Sequence, residues 1–217
     1  RQKEVEFKML ASQINPHFLY NTLETIRMKA RVNHQPEIED LVKMLAKIMR
    51  RNIQVSHKLV SLQSEIELID NYMKIQGYRF GDRIHSEIMV DDDVDMTQEV
   101  MPLIIQPFVE NAFIHGLENK PKDGRLEVKV SQDEKDIVIE VIDNGIGMNY
   151  YQLGELRHSL TQTDGSGGHI GISNVNQRLI MQYGKEYAVK VDSRLNEGTV
   201  VTIRIPKNTS VPIDSNQ

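Results

Sequence analysis

The chain has 217 residues, of which 39% are hydrophobic and 26% charged, and its net charge is -5 at pH 7. These values are typical of a soluble protein with one or two domains, and the absence of cysteine excludes disulfides and thiolate chemistry. No basic stripe favours a nucleic-acid partner, and no apolar run is long enough to cross a bilayer.

Residues 1–57 predict a helical hairpin. Apolar residues recur at spacings of three and four through residues 1–30, a polar break follows at 33–36, and a second periodic run covers 37–53. The second run carries a seam of regularly spaced residues: Ile38, Leu41, Leu45, Ile48 and Asn52. Because one hairpin has little core of its own, we expect two copies to form a four-helix bundle. Packing of the hairpin onto the rest of the chain is the alternative.

The segment "INPHFLYNTLETI" places a proline and a histidine inside the first helical run. Pro16 has no N–H group, and its ring crowds the carbonyl of Ser12, so we expect a kink at His17. Taken alone, this histidine would be interpreted as a satisfied side chain at a kink.

Residues 58–207 predict an α+β domain, and the polar residues 208–217 predict a disordered tail. Ser61 is expected to cap a helix over 62–78, "IHSEIMV" alternates like a strand, and Pro102 is expected to open a buried helix. Two pairs of alternating runs, at 125–143 and 187–206, predict β-hairpins, and residues 170–183 predict a helix between them. No periodicity assigns a structure to residues 149–168. The predicted architecture is an α/β sandwich with one mixed sheet covered by helices.

The segment "QPFVENAFIHG" has polar residues on a strongly apolar helix, where such side chains need partners. Asn111 and His115 are four residues apart and share one helix face, and Glu110 lies beside them. A nucleotide with a hard cation would supply partners, because Mg²⁺ prefers oxygen ligands. The alternative is a set of satisfied polar residues in the core.

Three further segments are compatible with ligand binding. "DNGIGM" places Asp143 after a hydrophobic strand and adds two glycines that allow close backbone approach, although it is also ordinary turn chemistry. "GSGGHIGI" leads into a helix and can hold phosphate through backbone N–H groups, or it is a flexible linker. "EGTVVTIRIP" is by itself only a strand after a turn.

In this order, the four segments resemble the Bergerat-type ATP-binding fold that histidine kinases, gyrase, MutL and Hsp90-type ATPases share, over residues 60–206. "QINPHFLYNTLETI" resembles the phosphoacceptor segment of LytS/YesM-type sensor histidine kinases. "LQSEIELIDNYMKIQGYRFGDRI" resembles the start of their catalytic domain. The resemblance to this family covers residues 8–206. It implies a dimeric phosphotransfer domain at 1–57 and an ATP-binding catalytic domain at 58–207.

The resemblance implies a role for each matching residue. His17 would accept the γ-phosphoryl group of ATP, Asn111 would hold Mg²⁺, and Asp143 would receive the adenine amino group. The other implied ATP-binding residues are a phosphate contact, an adenine support and the glycines of the base site and lid: His115, Thr199, Gly145, Gly147, Gly165, Gly167, Gly168 and Gly171.

One position departs from the pattern of many histidine kinases, in which an acidic residue follows the phosphoacceptor. Phe18 stands there, so the partner that orients or deprotonates His17 is open. Asn21, one turn on, and Glu110, from the catalytic domain, are the candidates, and Glu24 is a weaker one.

The resemblance also implies a homodimer formed through the hairpin and phosphotransfer to an aspartate of a response regulator. An upstream membrane sensor would place this part at the cytoplasmic side of the cell membrane. One alternative is a gyrase/MutL/Hsp90-like ATPase, but those enzymes carry a glutamate four residues before the magnesium-binding asparagine, where this chain has Pro107. The other is a catalytically inactive ATP-binding dimeric scaffold, against which the complete motif set argues.

Overall fold

The computed structural model describes residues 16–53, 58–161 and 170–207. The chain divides between residues 56 and 57 into two compact units. The predicted tail, 208–217, lies outside the described residues. Within the described ranges, no helix has both the length and the apolar character that a membrane span requires.

The first unit is a helical hairpin of α1 (Pro16–Val32) and α2 (Pro36–Ile53). Arg27 joins the two helices by donating to Glu39 over 3.0 Å. The predicted seam is divided, because Ile48 is buried within the hairpin whereas Ile38 and Leu45 remain 45% and 40% exposed. The predicted kink involves the carbonyl of residue 12, which lies outside the described residues.

The strands of the second unit are β1 (Val60–Ser61), β2 (Ile84–Val90), β3 (Glu99–Val100), β4 (Gly124–Gln132), β5 (Asp136–Asp143), β6 (Lys190–Arg194) and β7 (Gly198–Pro206). Five of them form a sheet in the order β2-β4-β5-β7-β6, in which β2 and β4 are parallel and the other neighbours antiparallel. The strands β1 and β3 form a separate antiparallel pair. Both predicted β-hairpins, β4–β5 and β6–β7, are confirmed.

Helices cover one face of this sheet. They are α3 (Leu62–Phe80), α4 (Gln106–Asn111) with a π-helical continuation (Ala112–Leu117), α5 (Tyr150–Thr161) and α6 (Ile170–Tyr183), and two 3-10 turns cover Gly81–Arg83 and Lys185–Tyr187. Every second residue of the central strands enters the core, as Leu126, Ile139 and Ile203 do, while Glu127 and Glu140 lie half-buried on the other face. The predicted α+β sandwich is confirmed.

The α3 helix begins as predicted, because Ser61 accepts a hydrogen bond from the Ser64 N–H at 3.2 Å. The prediction that Pro102 opens the next helix is wrong. The α4 helix begins at Gln106, and Leu103 before it has φ +58°, a left-handed conformation that a helix does not contain. Pro107 instead occupies the first helical turn, where its missing N–H costs nothing.

The α5 helix was not predicted, since residues 149–168 have no firm periodicity. Its inward positions, Leu156 and Leu160, are buried, but two tyrosines at its start are 87% and 81% exposed, and Gly154 weakens the helical signal of the sequence. Asn176 of α6, with no exposed surface, anchors this helix: its Nδ2 donates to the Leu160 carbonyl at 2.7 Å. The two helices are therefore fixed to each other by a buried side chain.

Candidate functional site

The centre of the candidate site is Asp143, the last residue of β5, which is only 7% exposed. Its Oδ1 accepts a hydrogen bond from the Gly145 N–H at 2.8 Å. Burial raises the pKa of Asp143 to about 6, against the opposing effects of backbone hydrogen bonds from Gly145 and Thr199 and of the Lys120 charge. A carboxylate held in this way lacks a full set of donors and would accept one from a ligand.

The backbone after Asp143 packs closely against two neighbouring segments. Gly147 has φ +60°, and a Cβ there would lie 1.9 Å from the Arg194 carbonyl oxygen. A Cβ on Gly145 would lie 2.2 Å from the Gly116 carbonyl oxygen, which also accepts the Ile146 N–H at 3.0 Å. Only glycine fits at these two positions.

The α4 helix and its π-helical continuation form one wall of the site. Val109 and Phe113 bury the apolar side of this wall, so that the other side, which includes the buried Phe108, faces the cavity. Asn111 and His115 both lie on that other side. The predicted shared face is therefore present, although the helix changes from α to π between the two residues.

A cavity of about 440 Å³ joins these elements. It brings together five of the predicted ATP-site residues: Asn111, His115, Asp143, Gly147 and Thr199. Gly145 does not line it, but supports the Asp143 carboxylate through its N–H. A cavity of this size with mostly apolar walls and a few polar groups is typical of small-molecule binding.

Two predicted site residues lie elsewhere. Glu110 is not among the cavity-lining residues, and accepts a hydrogen bond from Gln106 Nε2 at 2.5 Å. Burial and the Glu110 charge raise the pKa of Tyr72 to about 12, so Glu110 lies near α3. Gly171, at the start of α6, is exposed and also does not line the cavity, and the predicted lid glycines Gly165, Gly167 and Gly168 lie outside the described residues.

Sequence reasoning missed several residues of the cavity wall: Gly116, Ile146, Met148, Gln152, Glu155, Leu156 and Ile172. Three of them belong to α5, whose irregular pattern concealed it. Gly116 could have been noticed in the sequence, since a glycine within an apolar helical segment often has a packing reason, such as the close approach of another segment. Here that approach is to Asp143, whose Oδ1 would lie 2.8 Å from a Cβ on Gly116.

We expect Gly116→Ala to damage the site directly. The new methyl group must displace the buried Asp143 carboxylate, and such overpacking costs about 1–3 kcal/mol of stability. Thermal unfolding measures the loss of stability, and nucleotide titration measures the loss of binding at the site. The matched control is Gly154→Ala in α5, where an added Cβ meets nothing within 4 Å. This substitution should raise stability by about 1 kcal/mol, because alanine is a better helix former than glycine. Equal behaviour of the two variants would contradict the close packing of Gly116 on Asp143.

In the hairpin unit, His17 is exposed on α1. The side-chain amide of Asn21, one turn on, lies with Nδ2 3.1 Å from His17 Nδ1. An amide offers both a donor and an acceptor, so this contact can select one tautomer of a neutral imidazole. Phe18 beside it is 66% exposed.

Among the described residues, no group of three or more His, Cys, Asp or Glu side chains could hold a metal ion. The Asn111 side chain is one of the oxygen donors in the cavity wall that suit a hard cation, and the wall also contains side-chain oxygens of Asp143, Gln152, Glu155 and Thr199.

Comparison with family models assigns both parts of the chain. Residues 5–84 match the model described as histidine kinase, and residues 96–209 match the model described as histidine kinase-, DNA gyrase B-, and HSP90-like ATPase. The second match covers more than half of the chain.

Relatives of known name align over nearly the whole chain. The sensor histidine kinase YesM of Bacillus subtilis is 34% identical over 96% of this chain and 34% of its own length. The sensor protein LytS of Oceanobacillus iheyensis is 34% identical over 94% of this chain and 35% of its own. The chain therefore spans about a third of the length of these relatives.

Two solved structures have the same fold. The histidine kinase domain of a blue-light activated kinase from Erythrobacter litoralis superposes with a TM-score of 0.51, at 16% identity, over 88% of this chain and 94% of that domain. The catalytic domain of histidine kinase ThkA also gives 0.51, at 15% identity, over 70% of this chain and 97% of that domain.

Proposed function

The chain belongs to the histidine kinase-, DNA gyrase B-, and HSP90-like ATPase family, and from this premise we propose that it is the kinase part of a sensor histidine kinase in a two-component system. In this proposal it transfers the γ-phosphoryl group of ATP to His17. An aspartate of a response regulator then takes the phosphoryl group from the histidine. The names of the two aligned relatives and the histidine kinase match at residues 5–84 support this choice within the family.

The observation that carries the proposal is the grouping of Asn111, His115, Asp143, Gly147 and Thr199 around one cavity. Asp143 would accept the adenine amino group, and Thr199, with its Oγ1 2.9 Å from Ser193 Oγ, would support the base through water. Gly147 would lie beside the base, where its lack of a Cβ lets the chain pass close to the Arg194 backbone.

The helical wall of the cavity that carries Asn111 and His115 would receive the phosphates. Asn111 would hold Mg²⁺ through its side-chain oxygen, and His115 would contact the phosphate groups. Bound Mg²⁺ supplies charge neutralisation for phosphoryl transfer. The lid glycines and Gly171 keep their proposed role as a phosphate cradle.

On the hairpin, neutral imidazole is a competent nucleophile near physiological pH, and His17 is exposed. Asn21 would orient its ring. Glu110 remains a proposed base, although its carboxylate is bonded to Gln106 and does not line the cavity.

An ATPase of the gyrase, MutL or Hsp90 kind is less well supported. The position of its water-activating glutamate is Pro107, which has no acid–base group and lies in the first turn of α4. An inactive dimeric scaffold that binds ATP is the remaining alternative, and the labelling experiment described below distinguishes it from a kinase.

The proposed partners are a second copy of the chain and a response regulator. Large apolar side chains of the single hairpin are 40–72% exposed, which supports burial against a second hairpin: Phe18, Ile26, Met28, Val32, Ile38 and Leu45. We also propose that the chain works at the cytoplasmic side of the cell membrane, as part of a membrane-anchored sensor.

The test is incubation of the protein with γ-labelled ATP and Mg²⁺. Label that is labile in acid and stable in base supports phosphorylation on histidine. Normal ATP binding without label supports the scaffold, and phosphate release without labelled protein supports the ATPase. Labelled protein mixed with a response regulator should then lose its label to an aspartate.

Asn21 provides a separate prediction for the hairpin. We expect Asn21→Ala to lower the initial rate of His17 labelling by about tenfold, because the ring loses the contact that orients it. ATP affinity, measured in parallel, should not change. An unchanged labelling rate would remove Asn21 from the mechanism. In Asn21→Asp, a retained rate indicates that the wild-type Asn21 side chain accepts a hydrogen bond from His17 Nδ1–H, and a lowered rate indicates that it donates one to Nδ1.

A further inference from the structure

Glu65, in the first turn of α3, is a charged residue with no exposed surface. Its two carboxylate oxygens accept separate hydrogen bonds from consecutive backbone N–H groups, from Leu103 at 2.9 Å and from Ile104 at 3.0 Å. A buried carboxylate is tolerated only where such donors satisfy it. Glu65 therefore binds the turn that precedes α4.

That turn has an unfavourable backbone conformation. Leu103 has φ +58°, which places its Cβ close to the backbone and is rare for a bulky residue. Such a conformation persists only where the surroundings enforce it, and strained residues of this kind are found near functional sites. The Glu65 carboxylate is the group that holds the two amides in this orientation.

Arg178 of α6 also contacts this turn. Its Nη2 donates to the Pro102 carbonyl at 2.6 Å, directly before the strained residue. Burial lowers the pKa of Arg178, and the nearby Glu65 charge opposes this shift. The turn is thus held between α3 and α6.

The position of this turn determines where α4 begins. The Ile105 carbonyl accepts the Phe108 N–H at 3.0 Å, and so starts the helix. Asn111 follows within the same short helix and lines the cavity. A change in the turn would therefore act first on Asn111, whereas Asp143 is held on β5 and meets this wall only at its far end, at Gly116.

We propose that Glu65 is a positioning residue for the magnesium-binding end of the nucleotide site. Its carboxylate holds the left-handed turn at Leu103 and thereby sets the position of Asn111. This inference rests on the proposed function, in which Asn111 holds Mg²⁺ at the phosphates.

The test compares two ligands that share the adenine site but differ in whether they bring Mg²⁺ to Asn111. In Glu65→Gln, one N–H of the turn faces an amide NH₂ group instead of a carboxylate oxygen, so the turn relaxes. We expect the dissociation constant of Mg·ATP to rise by about tenfold, which corresponds to about 1.4 kcal/mol. The dissociation constant of ADP in excess EDTA should change by less than about twofold, since adenine binding at Asp143 remains intact.

The rescue experiment identifies the strained conformation as the cause. In the Glu65→Gln background, Leu103→Gly removes the penalty for positive φ and should restore Mg·ATP affinity. Leu103→Ala removes nearly the same side chain but keeps a Cβ, and should not restore it. Should Glu65→Gln fail to fold, the two Leu103 variants with Glu65 intact carry the test, and the glycine variant should have the higher melting temperature.

Equal loss of Mg·ATP and ADP affinity would overturn the proposal, because it would indicate a general structural role for Glu65. Equal behaviour of the glycine and alanine variants would also overturn it. A wild-type protein that binds no Mg·ATP would refute the proposed function instead. In that case, amide hydrogen exchange at Leu103 and Ile104 tests the contact without nucleotide: faster exchange in Glu65→Gln supports it, and unchanged exchange refutes it.

Discussion

Replacing His17 by glutamine is expected to abolish phosphorylation of the protein by γ-labelled ATP. Glutamine has similar length and polarity but no nucleophilic nitrogen, because its amide lone pair is delocalised. His17 is exposed, so the substitution should leave stability within about 0.5 kcal/mol of the wild type. The measurement is acid-labile label on the protein after incubation with Mg·ATP, together with the dissociation constant of ATP.

The control for this prediction is His85→Gln, the same change at an exposed histidine of β2. Its labelling should equal that of the wild type. Label that persists in His17→Gln would place the acceptor on another residue and would remove the functional reason for the Asn21 contact. Loss of both label and ATP binding would indicate damage to the protein and not loss of the acceptor.

Replacing Asp143 by asparagine is expected to weaken ATP binding while stabilising the nucleotide-free protein. In the proposed site, a charged acceptor for the adenine amino group becomes a neutral one, which costs about 1.5–3 kcal/mol, or about 10- to 100-fold in the dissociation constant. Stability should change in the opposite direction, because at pH 7 the wild type holds an ionised carboxylate that is only 7% exposed. Simple misfolding cannot explain a variant that binds ATP more weakly and is at the same time more stable.

The stability difference should depend on pH. The pKa of Asp143 is about 6 in the folded protein, against 3.8 for an ordinary aspartate side chain, so the folded state binds its proton more tightly. The resulting stabilisation is complete below pH 3.8 and is lost as the pH rises through about 6. The advantage of the asparagine variant should therefore grow between pH 4 and 6 and level off near 7, at up to about 3 kcal/mol.

Chemical denaturation across this pH range measures the difference. The matched control is Asp82→Asn, which removes an exposed carboxylate of the same unit and should leave stability and ATP affinity unchanged. An asparagine variant at 143 that is less stable than the wild type at pH 7 would contradict the raised pKa. One that binds ATP normally would remove Asp143 from the adenine site.

Much of the fold follows from local patterns in the sequence. Strict alternation in β4, β5 and β7 specifies strands with one buried face, and the Ser61 cap specifies where α3 begins. The motif order around Asn111, Asp143 and Thr199 also identified the ATP-binding family, since these residues belong to short segments that can be read without knowledge of their distances.

The errors occur where long-range contacts override local preference. Pro102 is a good first residue for a helix, but the turn after it is bound by Glu65, which lies 38 positions before Leu103 in the chain. The π-helical continuation of α4 likewise depends on packing and has no local signal. The α5 helix is fixed by Asn176 and by burial of two leucines, and its own sequence gives only a weak pattern.

The sequence by itself determined most of the elements, the family and the residue types of the site, because periodicity and motif spacing are local properties of the chain. Only the tertiary structure decided which of those residues share a cavity. It also decided that Gly116 makes room for Asp143, and that Glu110 contacts Gln106 and does not line the cavity. It also decided the raised pKa of Asp143, which arises from burial. Burial and close approach are produced by segments distant in sequence, so no local pattern contains them.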